Sequence, residues 1–203
     1  MRSIKQHGFA GCGPHPCPHP CPLPKLATVK RLYRTEPVDG AQMMARLKAY
    51  LQAALPQIRH GMPTLASELE LVRTYLEILQ VRMGARLAYR IDAPAHGLLI
   101  PFPAMLLITL VENAIKHGLN PLPHGGWVEI QVVDGPDKVT AEVRDNGVGF
   151  QSGAGTSGSG IGLANTRARL AALYGADASL VLLQNDPAGV IARVEVAKQA
   201  AQA

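Results

Sequence analysis

The hydrophobic pattern of this 203-residue chain changes its period at Gly84, and this change limits the fold more than any other feature. Before Gly84, apolar residues recur at spacings of four and three, which is typical of a helix that packs against another helix. This stripe consists of Leu65, Leu69, Val72, Leu76, Leu79 and Met83. After Gly84, short alternating segments are separated by helical segments and turns, which is typical of a sheet covered by helices.

Two helices are predicted before Gly84. Asp39 is a suitable N-cap for the first helix, with Gln42 at the third helical position, and Pro56 is expected to end that helix at about Leu55. The second helix is predicted to begin near Thr64. Because its apolar stripe spans fewer than three heptads, we expect this helix to pack in a bundle and not to form a freestanding coiled coil.

The part after Gly84 is predicted to form a mixed sheet with helices. Strands are predicted at 87–91, 128–133, 139–144, 179–184 and 190–196, and helices at 103–117 and 161–173. Turn residues at 134–137 and 185–189 predict antiparallel hairpins at these two places. Antiparallel hairpins with helices between them indicate an α/β sandwich whose sheet carries its helices on one face.

Residues 1–25 are proline-rich and are not expected to fold. Prolines occupy every second position from Pro14 to Pro24, and each one lacks a backbone N–H and restricts the residue before it, so a helix is excluded. All three cysteines lie in this segment, so disulfides are not expected to hold the folded part together, and a reducing compartment fits. The spacing of these cysteines with His15 and His19 matches no common zinc site.

Charge and hydrophobicity exclude further classes of function. Lys and Arg number 20 against 15 for Asp and Glu, but they are scattered among the acids and form no basic run. We therefore expect no binding of nucleic acid. The longest apolar run, 98–111, contains two prolines and is too short to span a membrane, and no signal peptide is recognisable, so a cytoplasmic location is expected.

The stretch from Leu110 to Gly118 places Asn113 on an apolar helix. Asn113 could simply mark a helix end that emerges into water, or its amide oxygen could ligate Mg²⁺, a cation that prefers oxygen ligands. Lys116, one turn further on, could reach a phosphate as a point charge. His117 could cap the helix C-terminus or flank a nucleotide, and we prefer the cap.

The stretch from Asp145 to Phe150 reads Asp-Asn-Gly-Val-Gly-Phe and follows a predicted strand. It could be an ordinary tight turn, since these residue types are common in turns. Alternatively, the Asp145 carboxylate could accept a hydrogen bond from the exocyclic amine of adenine. Gly147 and Gly149 would then let the backbone approach the base closely.

A glycine-rich loop leads into the last predicted helix. Its residues Gly158, Gly160, Ile161, Gly162 and Leu163 could offer backbone N–H groups to phosphate at a helix N-terminus, although a flexible linker would have the same composition. The nearby stretch 153–158 matches a dinucleotide fingerprint, but it does not join a buried strand directly to a helix, so we reject that match. The order and spacing of the three motifs together predict a nucleotide pocket.

These motifs resemble those of the ATP-binding domain of sensor histidine kinases, in the superfamily that also contains gyrase, heat-shock protein 90 and MutL. The segments that look like the LytS-like branch are Ser67–Ile78, Arg82–Leu87 and Leu110–Gly118. The resemblance extends from about Leu26 to Val196. It implies the Bergerat fold, Mg²⁺-ATP as cofactor, phosphoryl transfer to a histidine, a homodimer, a response regulator as partner and a membrane sensor portion outside this chain.

The resemblance also implies roles for individual residues. Asn113 would hold Mg²⁺, Asp145 would bind adenine, Gly147 and Gly149 would shape the pocket of the base, and Gly160 and Gly162 would meet the phosphates. Residues 151–160 would be the ATP lid, mobile without nucleotide. The implied division of the chain is a proline-rich segment at 1–25, an incomplete helical dimerisation and phosphoacceptor-type region at 26–83, and the ATP-binding catalytic domain at 84–203.

The chain departs from the family pattern in two places. Ile108-Thr109 stands where this branch usually has Gln-Pro, and the phosphoacceptor motif Pro-His-Phe-Leu-Phe-Asn is absent. By register that motif would fall at 19–24, where the sequence is His-Pro-Cys-Pro-Leu-Pro. Two hypotheses remain: a histidine kinase core, or a nucleotide-binding and dimerisation module without its own phosphoacceptor. A simple ATPase is less favoured, because Thr109 occupies the position where related hydrolases carry a glutamate.

Overall fold

The computed structural model describes residues 34, 37–59, 63–94, 98–150 and 159–198, with only the backbone described at 39, 53–59 and 159–162. The helices are α1 Pro37–Arg59, α2 Leu65–Met83, α3 Leu106–Asn113 and α4 Ser159–Tyr174. A π-helical segment, Ala114–Leu119, continues directly from α3. The strands are β1 Leu87–Asp92, β2 Gly126–Asp134, β3 Lys138–Asp145, β4 Ala178–Gln184 and β5 Val190–Ala197.

The strands form one sheet in the order β1-β2-β3-β5-β4. Strand β1 runs parallel to β2, and all other neighbours are antiparallel, so the predicted mixed sheet is confirmed. The register places Val128 of β2 opposite Asp145 of β3. This pairing brings the start of β2 next to the end of β3, where the second motif begins.

The two faces of the sheet differ in chemistry. One face is apolar and buried, through Val128, Ile130, Val132, Val139, Ala141, Val143, Ala192, Val194 and Val196. These side chains belong to the same core as those of α2, α3 and the π segment. The alternate residues of the strands, such as Glu129 and Arg144, are charged and face away from it. The prediction that the helices cover one face is therefore confirmed.

Helix α2 begins as predicted, with Thr64 as its N-cap. The Thr64 hydroxyl accepts the N–H of Ser67 at 3.3 Å, and the Ser67 hydroxyl accepts the N–H of Thr64 at 3.1 Å. The predicted apolar stripe is buried except for Met83, which is partly buried. Five further residues of this helix are also buried: Glu68, Leu71, Thr74, Tyr75 and Ile78. Helix α2 is enclosed on more than one side because it packs on α1 as well as on α3 and β1.

Both predicted ends of α1 are wrong. The helix begins at Pro37, before Asp39, and continues past Pro56 to Arg59. A proline in the first turn loses nothing, because its missing N–H would have no partner inside the helix. A proline near the other end removes one hydrogen bond without removing the turn.

Helix α3 begins later than predicted and ends later. Pro103 was expected at its start, but the helix starts at Leu106. The chain just before it is engaged elsewhere, because Pro101 pairs with Thr64 in an isolated antiparallel bridge. The π segment then carries helical structure to Leu119, two residues beyond the predicted end.

Helix α4 begins at Ser159, two residues before the predicted start, so 159 and 160 belong to the helix and not to the preceding loop. Serine is a favoured residue type at helix starts, which accounts for the difference. The predicted helix end is confirmed, since Gly175 follows Tyr174 with a φ of 55°. The rest of the predicted lid, 151–158, lies outside the described residues, as do residues 1–25.

Candidate nucleotide site

Asp145 is a buried carboxylate at the end of β3, with only 3% of its surface exposed. Its Oδ1 accepts the backbone N–H of Gly147 at 2.8 Å. Burial raises the pKa of Asp145 above its ordinary value, while hydrogen bonds from the N–H groups of Gly147 and Val190 lower it. The structure therefore holds a fixed, largely desolvated acceptor at the place where the sequence predicts adenine recognition.

The turn after Asp145 is held from two sides. Asn146 Oδ1 accepts the backbone N–H of Trp127 on β2 at 2.7 Å. From the other side, Asn185 Nδ2 donates to the backbone oxygen of Asp145 at 2.8 Å. Asn185 belongs to the connection between β4 and β5, so this hairpin forms a wall of the site that sequence reasoning did not assign to it.

Gly118 and Gly147 lie in close backbone contact. A Cβ on Gly147 would lie 2.3 Å from the Cα of Gly118, and a Cβ on Gly118 would lie 2.7 Å from Oδ1 of Asp145. The N–H of Val148 donates to the Gly118 oxygen at 3.2 Å, which joins the two motifs directly. Sequence reasoning gave Gly118 no role, although its place at the end of the first motif was a usable signal.

Gly149 has a reason of its own to be glycine. Its φ is 70°, and a Cβ there would lie 2.9 Å from Nε2 of Gln184. Glycine at position 149 therefore allows both the positive φ and the close packing against β4. That Gly147 and Gly149 also admit an adenine ring stays a prediction.

Asn113 is the last residue of α3, at the junction with the π segment. Among the described residues, its buried Nδ2 atom has no hydrogen-bond partner. A buried amide of this kind suits a ligand with oxygen atoms, such as a phosphate or the water shell of a cation. π-helical segments frequently occur at functional sites, and this one was not predictable from the hydrophobic pattern.

The π segment also carries Lys116 and His117, both half-buried. Burial raises the pKa of Glu112 above its ordinary value, and the positive charge of Lys116 opposes this shift, so these two side chains lie near each other. His117 lies in the last turn of this segment, near the helix C-terminus that it was predicted to cap. The residue at the C-cap position itself is Asn120. The N–H of Asn120 donates to the oxygen of Ile115 at 2.9 Å.

Part of the predicted phosphate loop is described. Gly160, Ile161 and Gly162 lie in the first turn of α4, as a phosphate-binding helix N-terminus would require. Leu163 is half-buried and packs against the core, so its side chain has a structural role. Gly158 lies outside the described residues.

Two features are absent from the part of the chain that the structure describes. No group of three or more His, Cys, Asp or Glu side chains there could hold a metal ion. No helix there is both long and apolar enough to cross a membrane.

Two family models match the chain, one over the helical region before the sheet and the other over most of the part that contains the sheet. Residues 25–87 match the histidine kinase model, and residues 101–199 match the model of histidine kinase-, DNA gyrase B- and HSP90-like ATPases. The chain belongs to the histidine kinases. The second match contains every residue of the site described above, from Asn113 to Val190.

Two sensor proteins are similar to this chain over most of the length of the chain. The chain is 31% identical over 165 residues to the sensor protein LytS of Staphylococcus haemolyticus, which covers 75% of this chain and 28% of LytS. It is 32% identical over 144 residues to the sensor histidine kinase BtsS of Escherichia coli, which covers 71% of this chain and 26% of BtsS. The chain thus spans less than a third of these relatives.

Solved structures of histidine kinases share the fold. The catalytic domain of ThkA matches with a TM-score of 0.53 at 19% identity, over 66% of this chain and 94% of that domain. Acinetobacter baumannii AdeS matches with a TM-score of 0.51 at 18% identity, over 87% and 86%. ThkA in complex with the response regulator TrrA gives 0.52 at 17% identity, over 81% and 51%. The predicted Bergerat-type sandwich with a preceding helical segment is confirmed.

Proposed function

We propose that this chain is the ATP-binding core of a two-component sensor histidine kinase, which transfers the γ-phosphoryl group of Mg²⁺-ATP to a histidine for relay to a response regulator. The observation that carries the proposal is the buried Asp145 carboxylate, fixed by two backbone N–H groups and packed against Gly118, where a Cβ would lie 2.7 Å from its Oδ1. A desolvated acceptor of fixed direction suits the exocyclic amine of a purine, because an unpaired partner there would be costly.

The proposed roles of the other residues follow from their places. Gly147 and Gly149 shape the base pocket, and Asn113 and Lys116 meet the phosphates and their cation. The backbone of the α4 start, with Gly158, Gly160, Ile161, Gly162 and Leu163 as the proposed phosphate loop, closes the site. Mg²⁺, when bound, neutralises charge on the phosphates, and an amide oxygen together with phosphate oxygens and waters is a set of ligands that it accepts.

The proposed partners follow from the relatives and neighbours. A homodimer through the helical region, a response regulator and the remaining sensor portion of a longer protein are all proposed, supported by the match to the histidine kinase model and by the ThkA complex with its regulator. Proteins that phosphorylate a response regulator act where regulators are found, so a cytoplasmic place for this core is also proposed. We propose the boundaries 1–25, 26–83 and 84–203 for its segments.

Titration calorimetry with a non-hydrolysable ATP analogue and Mg²⁺ tests the site. Asp145→Asn presents a donor where the amine needs an acceptor, so its affinity should fall at least about a hundredfold. Asp177→Asn is the matched control, because Asp177 is exposed and lies outside the site. Equal affinity of the wild type and Asp145→Asn would refute the assignment of adenine to Asp145.

The absent phosphoacceptor motif favours a second candidate, a nucleotide-binding and dimerisation module without a phosphoacceptor histidine of its own. His15 and His19 lie among prolines that exclude a helix, and a misplacement of about 1 Å can cost on the order of a hundredfold in rate. We therefore expect little acid-labile labelling with γ-labelled ATP despite binding of the analogue. Rapid labelling mapped to His19 would contradict this candidate.

A further inference from the structure

Glu68 is an acidic residue in the most enclosed part of the molecule. It lies on α2 among the apolar residues of the stripe and has 0% of its surface exposed. Its Oε1 accepts the N–H of Met105 at 2.6 Å, and its Oε2 accepts the N–H of Leu107 at 3.0 Å. Both oxygens of a buried carboxylate are thus used by the first turn of a different helix, α3.

Helix α3 has no cap of its own. The side chain of Met105, the N-cap residue, makes no capping hydrogen bond. Its backbone is left-handed, with a φ of 58°. No acidic residue lies in the first turn of α3. The first N–H groups of a helix need partners and favour negative charge, and a non-glycine residue with positive φ persists only where its surroundings hold it. Glu68 supplies both the acceptor and the charge.

A third element reaches the same place. Arg169 of α4 donates to the backbone oxygen of Ala104, next to Met105. Its positive charge also favours the ionised form of Glu68. We name the group formed by Glu68, Ala104, Met105, Leu107 and Arg169 the α3 junction. It joins α2 to the helix that ends in Asn113 and to the helix whose first turn contains Gly160.

Titratable and charged side chains of the neighbouring helices act on Glu68 or respond to its charge. Tyr50 of α1 lies near enough for the Glu68 and Glu112 charges to raise its pKa, after burial, which is the larger cause. Burial raises the pKa of Glu68 itself to about 6, against the effect of the N–H groups of α3 and the charge of Arg169. Near neutral pH the carboxylate is therefore mostly ionised, and it gains a proton within a mildly acidic range.

We propose that Glu68 is a positioning residue for nucleotide binding: by capping α3 from α2, it sets the place of Asn113 and the π segment against Asp145. The proposal rests on the proposed function, because it concerns affinity for ATP. It makes the position of α2, in the region that matches the histidine kinase model, a determinant of the nucleotide pocket. Ionisation of Glu68 and nucleotide affinity are then linked, since a protonated carboxyl offers the α3 amides a weaker acceptor.

Glu68→Gln tests the proposal, with Glu70→Gln as matched control because Glu70 is exposed on the same helix. Calorimetry with the ATP analogue and Mg²⁺ should show an affinity about tenfold lower for Glu68→Gln at pH 7.5 and no change for Glu70→Gln. Between pH 7.5 and 5.5 the affinity of the wild type should fall relative to that of Glu68→Gln, and the ratio cancels the titration of the analogue itself. Equal affinities with parallel pH profiles would overturn the proposal.

Arg169→Gln is a second variant for the case in which Glu68→Gln does not fold, because the Arg169 side chain is exposed and its loss leaves the core intact. Removing this charge should raise the pKa of Glu68, so the fall in affinity should begin at higher pH than in the wild type. An unchanged profile would overturn the proposal. Failure of the wild type to bind the analogue at any pH would instead refute the proposed function, which separates the two claims.

Discussion

The two ends of the helix formed by α3 and the π segment each meet a buried carboxylate, but the carboxylates are used differently. At the start, Glu68 is fully enclosed, and the N–H groups of Met105 and Leu107 occupy both of its oxygens. At the end, Asp145 also accepts two backbone N–H groups, yet Gly118 beside it carries no side chain. The first carboxylate is paired with another helix inside the core, and the second lies where the backbones of two glycine-containing motifs meet.

The polar groups near each end show the same contrast. The first turn of α3 has its acceptors supplied by α2, whereas Asn113, near the other end, has a buried Nδ2 with no partner among the described residues. Since buried polar groups are normally paired, an unpaired one needs an explanation. This contrast is what we expect if the protein completes one end of this helix and the proposed nucleotide completes the other.

The largest effect on stability is expected from adding a side chain at the close contact between Gly118 and Gly147, at the second end. Gly147→Ala would place a Cβ 2.3 Å from Gly118 Cα and 2.6 Å from its oxygen, and neither backbone atom can rotate away. We expect a loss of about 3 kcal/mol in the free energy of unfolding, measured by urea denaturation. Gly175→Ala is the control, because its Cβ would meet nothing within 4 Å and only the φ of 55° is unfavourable, at about 1 kcal/mol. Equal losses would show that the contact between Gly118 and Gly147 is not tight.

A smaller effect on the free energy of unfolding is expected from protonation of Glu68, at the first end. The unfolded chain releases the Glu68 proton near the ordinary value of 4.5 and the folded chain near 6. Between these values only the folded state holds the proton, so this contribution to stability is complete below pH 4.5 and is lost as pH rises through about 6. The shift corresponds to about 2 kcal/mol for a fully buried group.

Urea denaturation at pH 4.5 and pH 7 measures this contribution. Wild type should gain about 2 kcal/mol relative to Glu68→Gln at the lower pH, and Glu70→Gln should follow the wild type. Burial also raises the pKa of Asp145, so Asp145 should contribute with the same sign, over a range that starts at its lower ordinary value of 3.8. A constant difference between wild type and Glu68→Gln would contradict the enclosed state of Glu68.

The sequence predicted most of the sheet, because alternation and turn residues are local signals. Strand β1 and both hairpins lie within one or two residues of the predicted positions. The predicted start of α1 was wrong because Asp39 was read as the N-cap, and the predicted end was wrong because Pro56 was read as a stop signal. The start of α3 was wrong because its cap comes from Glu68, 37 residues earlier in the chain. No local rule finds such a partner.

The residues of the candidate site could be predicted only in part, for a related reason. Asn113 and Asp145 belong to motifs whose chemistry can be read from the residue types. Gly118 and Asn185 were missed, because their roles depend on which backbone atoms meet across the fold. In the sequence, Glu68 belongs to one of the segments that carry the resemblance, and its position within an apolar stripe is the signal that singles it out.

The smallest effect is expected from a cap that acts only on its own helix. Thr64 caps α2 through Ser67, three residues away, so Thr64→Ala should lower the free energy of unfolding by about 1 kcal/mol. Its affinity for the ATP analogue should equal that of the wild type, because the loss concerns the start of α2 and leaves the bonds from Glu68 to α3 in place. Glu68→Gln should show the opposite pattern at pH 7.5, with lower affinity as its main effect. If Thr64→Ala weakened binding as much as Glu68→Gln does, any loosening of α2 would suffice, and the carboxylate would have no specific role.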